Sequence, residues 1–148
     1  MCIKVKNYLY QTKIKNLFSI LFINVKPIKN TFHKQERLCS KKQMELLFNK
    51  GSSKLAYPIK LQFLETPVDL EYPVQGMFVA PKRSFKKAHD RNKLKRRMRE
   101  VYRLNKSAFY ETLISKNKKY ILAFIYIGKK IEEYDIIEKS ILKLLNHI

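Results

Sequence analysis

The residues with the clearest chemical potential are cations. From Lys82 to Lys106 the chain carries 12 basic residues and 2 acidic ones. That is a local charge of +10, half of the net +20 of the whole chain. Half of these cations are arginines, whose planar fork can contact two phosphate oxygens at once, where lysine offers a point charge. Like charges packed this densely repel one another in the folded state and are best tolerated beside a polyanion. The plainer alternative is a solvated helix face. Such a face normally mixes signs, so that i, i+4 ion pairs add a few tenths of a kcal/mol each. Here only Asp90 and Glu100 supply negative charge, and the pattern favours a polyanion-binding surface. Nucleic acid is the first candidate partner and an anionic membrane surface the second.

Catalytic patterns are missing from the same sequence. Gly51, Gly76 and Gly128 are its only glycines, so there is no glycine-rich phosphate loop, and neither HExxH nor GxSxG occurs. Cys2 and Cys39 stand alone without zinc-ligand spacing, which fits a reducing cytoplasm. His33, His89 and His147 are far apart, and no metal site is expected. Glu132, Glu133 and Asp135 could be taken for catalytic carboxylates. Their place in the first turn of a helix offers a simpler reason, since acids there complement the helix dipole. Glu65, Asp69 and Glu71 fall in a turn and read as solubilising. A binding protein without catalytic or metal-ligating side chains is the expectation.

The surrounding elements must position the cations. With 148 residues, 45% of them hydrophobic, the chain is long enough for one domain with a core. Ser40 and Gln43 fit a capping box ahead of Met44, Leu47 and Phe48, an apolar helical face. Gly51 then stops this first helix, expected over residues 41–50, by taking the left-handed conformation. Ile59, Leu61 and Phe63 alternate with Lys60 and Gln62, the period of a strand. A proline-bounded turn follows, and 74–80 reads as a second strand that closes a hairpin with the first. A helix is expected from Ala88 to Asn105. At about 100° per residue it sets Leu94, Met98 and Val101 on one face. Asn92, Arg96, Arg99 and Arg103 fall on the opposite one, with Lys95 beside them. Tyr120–Ile127 is nearly all apolar and reads as a central strand. Tyr134, Ile137, Ile141, Leu144 and Ile148 recur at helical spacing in a last amphipathic helix.

Residues 1–30 differ from the rest, for the first acid of the chain is Glu36. The run Leu17–Ile23 is too short to cross a bilayer as a helix, which needs roughly 20 apolar residues, and no small-residue cleavage site follows it. A dispensable basic extension, an amphipathic surface segment and upstream codons not normally translated are the readings open to it. The first and third are favoured. The folded domain is expected over 31–148.

The segment from Lys87 to Glu100, which includes Arg91-Asn92-Lys93-Leu94-Lys95-Arg96, resembles the signature of the bacterial ribonuclease P protein family. Lys93 stands where that family usually has a second arginine. Arg37-Leu38 before the first helix, and Phe48 with Gly51 at its end, match the family's opening. The resemblance covers about Thr31 to Ile148. It implies a single small α+β domain ordered α-β-β-α-β-α, with a left-handed βαβ crossover around the basic helix. It also implies a role: binding a catalytic RNA that removes the 5′ leader of precursor tRNA with Mg²⁺, in the cytoplasm and without an obligate protein partner. Arg91, Asn92, Lys93, Lys95, Arg96, Arg99 and Arg103, with Lys86 and Lys87, would touch RNA. Phe48 and Met44 would line a leader cleft between the first helix and the sheet, although either could instead be core. Phe63 and Tyr57 compete as the strand aromatic of that cleft. A ribosomal or general RNA-binding protein would explain the charge but not the ordered motif. For a DNA-binding module there is no helix-turn-helix spacing.

Overall fold

The Ser40 hydroxyl accepts a bond from the Gln43 amide at 3.5 Å and opens helix α1, Lys41–Lys50. This is the first helix of a computed structural model that describes residues 30–148. The apolar run 17–23 and the readings attached to it lie outside the described residues. Gly51 caps α1 as expected, but its backbone is extended, with φ −71° and ψ 144°. Glycine is needed there for close approach, not for a left-handed turn. A Cβ at this position would collide with the Leu47 carbonyl and sit 3.1 Å from both the Leu47 Cδ1 and the Phe63 carbonyl.

Strand β1, Ser52–Ala56, follows at once. Nothing in its Ser-Ser-Lys-Leu-Ala sequence announces a strand, because it is an edge with no alternating apolar side to bury. It pairs antiparallel with β2, Ile59–Glu65, across the Tyr57-Pro58 turn. This is the hairpin of the fold. The expected hairpin between β2 and β3, Val74–Val79, does not form. Strand β4, Tyr120–Tyr126, lies between them, antiparallel to β2 and parallel to β3. The sheet order is therefore β1-β2-β4-β3. Burial explains the insertion: every residue of β4 except Ile125 is buried, and a strand covered on both faces belongs inside a sheet. The 66–73 connection spans the start of β4, with the Thr66 amide on the Lys119 carbonyl and the Tyr120 amide on the Pro73 carbonyl.

Helix α2 runs from Ala88 to Ser115, ten residues past the expected end. Phe109, Tyr110 and Leu113 continue its buried stripe. It ends in a Schellman motif: Asn117 takes φ 50°, the Lys118 amide bonds the Leu113 carbonyl, and the Asn117 amide bonds that of Ile114. Helix α3, Tyr134–Leu145, buries Ile137, Ile141, Leu144 and Leu145.

The sheet separates two cores. On one face Ile59, Leu61, Leu122, Phe124 and Tyr126 pack with Leu94, Met98 and Val101 of α2 and Ile137 and Ile141 of α3. On the other, Leu47 of α1 packs with Leu38, Ile121 and Ala123. The segment before α1 completes the β3 edge through the Leu38 amide on the Gly76 carbonyl. The result is a small α+β domain. Its element order is the one implied by the resemblance, with β1 added.

Candidate nucleic-acid interface

The two faces of α2 fall where the helical period puts them. Leu94, Met98 and Val101 are 0% exposed. Asn92, Lys93, Arg96 and Arg99 are exposed, and Lys95 is half-buried beside them. Lys86 and Lys87 are exposed just before the helix. Among the described residues, the side chains of Lys86, Lys87, Lys93, Lys95, Arg96 and Arg99 have no hydrogen-bond or ion-pair partner. They form a cationic surface held by a buried apolar stripe.

Four cations of the same stretch are engaged within the fold. Arg91 is half-buried, and its Nη1 donates to the carbonyls of Phe85 at 2.9 Å and Lys86 at 2.7 Å, clipping the preceding turn to α2. Arg97 Nη1 donates to the Glu132 carbonyl at 2.7 Å and ties α2 to the start of α3. Arg103 grips Glu100 through two bonds, Nη2–Oε1 at 2.5 Å and Nε–Oε2 at 3.1 Å, and also reaches the Asn30 carbonyl. The hydrogen bond from Arg103 holds the Glu100 carboxyl below its ordinary pKa, so this acid stays ionised and cancels Arg103. Lys106 is buried. Its Nζ lies 2.6 and 2.5 Å from the Glu36 oxygens and 2.5 Å from the Thr31 carbonyl. Counting charge in sequence could not separate these cations from the free ones, since their partners lie up to 75 positions away.

On the opposite face of the sheet, α1 presents Phe48 at 46% exposure. Met44, one turn earlier, is half-buried against the cluster of Leu47, Ile121 and Ala123. Phe63 is not with them. It packs in the core on the α2 and α3 side, beside Ile59 and Leu61. The period of two that identified β2 already required this, since 59, 61 and 63 share a face. Tyr57 is also elsewhere, its hydroxyl donating to Glu132 Oε1 at 3.0 Å. The β2 residue that meets α1 is Gln62, whose Nε2 donates to the carbonyls of Leu47 at 3.1 Å and Phe48 at 3.4 Å.

The acids have structural partners as well. Glu132 precedes α3 and is buried: its carboxylate accepts from Tyr57, and its amide donates to the Tyr126 hydroxyl at 3.0 Å. It anchors the loop, so only Asp135 stands in the first turn of α3 as expected. Glu65 pairs with Lys118 at 2.9 Å, and Asp69 pairs with Lys119. Among the described residues no group of three or more His, Cys, Asp or Glu could hold a metal ion. No helix among them is long and apolar enough to cross a membrane.

Comparison with known proteins agrees with this fold. Residues 32–148 match the family model for ribonuclease P. The chain is 29% identical over 116 residues to the ribonuclease P protein component of Porphyromonas gingivalis, covering 78% of this chain and 84% of that one. The component from Chlorobium phaeobacteroides is 29% identical over 130 residues, with 80% and 88% covered. Among solved structures, the RNase P protein from Thermotoga maritima superposes with a TM-score of 0.61 at 26% identity, over 76% of this chain and 96% of that one. A Staphylococcus aureus RNase P protein shares the fold, with a TM-score of 0.63 at 18% identity over 77% of this chain and 88% of the other. A basic helix with one face free and one face buried, on a fold shared with these proteins and matched by one family model over the whole described domain, means that the chain belongs to the ribonuclease P protein family, the protein components that serve in forming the 5′ ends of tRNA.

Proposed function

We propose that this protein binds the catalytic RNA of ribonuclease P through the outer face of α2 and supplies no catalytic group itself. The observation that carries this reading is the row of unpartnered cations Lys86, Lys87, Lys93, Lys95, Arg96 and Arg99, with Asn92 among them. Arg91 and Arg103 support that surface from its edges, the first by fixing the turn before α2 and the second by neutralising Glu100. The 5′ leader of precursor tRNA runs on the opposite face of the sheet, over Phe48 and Met44 of α1. An exposed ring there offers a stacking surface, which is indifferent to base identity. Mg²⁺ is held by the RNA in this reading; Glu36, Glu65, Asp69 and Glu100 are each committed to a lysine or arginine. The site of action is the cytoplasm.

Reconstitution tests this. Purified protein, the cognate RNA and a precursor tRNA are combined at a Mg²⁺ concentration where the RNA alone is slow. Leader removal is expected to return only when protein and RNA are both present. Correct 5′ cleavage by protein alone, surviving nuclease treatment of the preparation, would place the catalyst in the polypeptide. Failure of the protein to stimulate its RNA would remove the proposed role.

The same assay examines the first residues. A chain beginning at Lys29 keeps every described element, including the Asn30 and Thr31 carbonyls that receive Arg103 and Lys106. It is expected to melt cooperatively and to stimulate cleavage almost as well as the full chain. Loss of its thermal transition would make residues 1–28 part of the fold.

A further inference from the structure

We propose that the depression between the first half of α2 and the start of α3 seats one unstacked nucleotide of the bound RNA, with the Tyr134 ring under the base and Arg96 and Lys93 at its phosphates. This rests on the reading of α2 as the RNA-binding helix and adds a site on it. The depression has a volume of about 660 Å³, and its lining includes His89, Asn92, Lys93, Arg96, Glu100 and Tyr134. Sites for small ligands span roughly 300–1,000 Å³.

Three features point to a base joined to phosphate. First, Tyr134 is half-buried and its hydroxyl has no hydrogen bond among the described residues. Tyr57, Tyr102, Tyr110, Tyr120 and Tyr126 all engage theirs. The Tyr134 ring is therefore not needed as a polar brace; it packs against the core and also lines the open depression. Second, the two walls are tied together. Arg97 is fixed to the Glu132 carbonyl, which joins α2 to the helix that carries Tyr134. Third, the local charge suits an anion. Glu100 is the acid lining the depression, and Arg103 neutralises it through both carboxylate oxygens. Arg96 and Lys93 remain unpaired. Asn92 and Arg96 belong both to the depression and to the outer face of α2, so a strand following the cations passes over the ring. Stacking on an aromatic side chain next to a cationic track is how single-stranded nucleic acid is held without regard to sequence.

The chain contains no tryptophan, so Tyr134→Trp creates a single indole reporter. This variant is titrated with the cognate ribonuclease P RNA and, separately, with heparin, a polyanion without bases. RNA is expected to quench the indole and shield it from acrylamide, while heparin binds and leaves emission near that of free protein. In competition assays Tyr134→Phe is expected to keep RNA affinity within about two-fold, and Tyr134→Leu to lose about 5- to 160-fold, the range for one lost stack. Because stacking carries no charge, the salt dependence of the remaining binding stays the same. Equal emission with RNA and heparin would overturn the nucleotide seat. So would a folded Tyr134→Leu protein that binds like the parent, and the tryptophan measurement decides the matter if the leucine variant does not fold. An Arg96/Arg99 double substitution separates the two ideas. If it weakens RNA binding while Tyr134 is silent, only the seat falls; if it too is silent, the reading of α2 falls with it.

Discussion

Replacing Lys106 by methionine is expected to cost about 3–5 kcal/mol of folding stability, the range for removing one partner of a buried ion pair. Glu36 is 0% exposed and Lys106 1% exposed. The ammonium satisfies both carboxylate oxygens, and the Tyr110 hydroxyl adds a bond at 3.2 Å. Without the lysine, a carboxylate remains in the interior with one neutral donor. Domains of this size have roughly 5–15 kcal/mol in total, so the loss is a large part of the whole. Glu36→Gln should cost a comparable amount, because it leaves the ammonium without its counter-charge. The double substitution Glu36→Leu with Lys106→Met removes both charges and should recover most of the loss, since a buried pair and its apolar replacement are often close in energy. Urea unfolding of the parent, the two single variants and the double variant measures the coupling. Single variants within about 1 kcal/mol of the parent would mean that water reaches the pair and that it is not buried in solution. The pair also has a consequence for binding. Lys106 is buried and lies outside the proposed RNA surface, and its loss should leave the salt dependence of RNA binding unchanged.

Changing Arg96 and Arg99 together to alanine is expected to do the reverse. Both side chains are exposed, and among the described residues both lack partners. Surface substitutions of this kind usually move stability by less than about 0.5 kcal/mol. RNA affinity should fall by roughly tenfold or more for each lost charged contact. The log–log slope of binding against salt should drop by about 1.4 to 1.8 for the pair, because each phosphate contact contributes roughly 0.7 to 0.9. Met98, between them in the sequence but 0% exposed, provides the contrast. Met98→Ala should cost about 2–5 kcal/mol of stability, the usual penalty for emptying a core position, and leave the slope of the folded fraction intact. An Arg96/Arg99 variant that unfolds, or that binds with the parent slope, would reverse the assignment of the two faces of α2.

Much of this was legible in the residues. The inner and outer faces of α2 follow from a local period, and a helix interrupted by no glycine or proline expresses that period faithfully. The Ser40 cap, the start of α2 and the last helix are likewise short-range matters. The polyanion partner followed from charge density, and the family from the ordered motif between Lys87 and Glu100.

What tertiary structure alone decided depends on contacts between distant residues. Local pattern shows that β2 and β3 are strands but not which strand each pairs with. The apolar β4 takes the place between them because only there are both of its faces covered. β1 has almost no apolar side of its own and exists as a strand because β2 offers its free edge. Gly51 is set by how closely α1 and β2 approach, not by its own backbone angles. The same holds for charge. Lys106 and Arg96 look alike in sequence, yet one is buried on a carboxylate 70 positions away and the other faces solvent. A side chain's period tells which way it points; whether a counter-charge waits there is settled only when the chain folds back on itself.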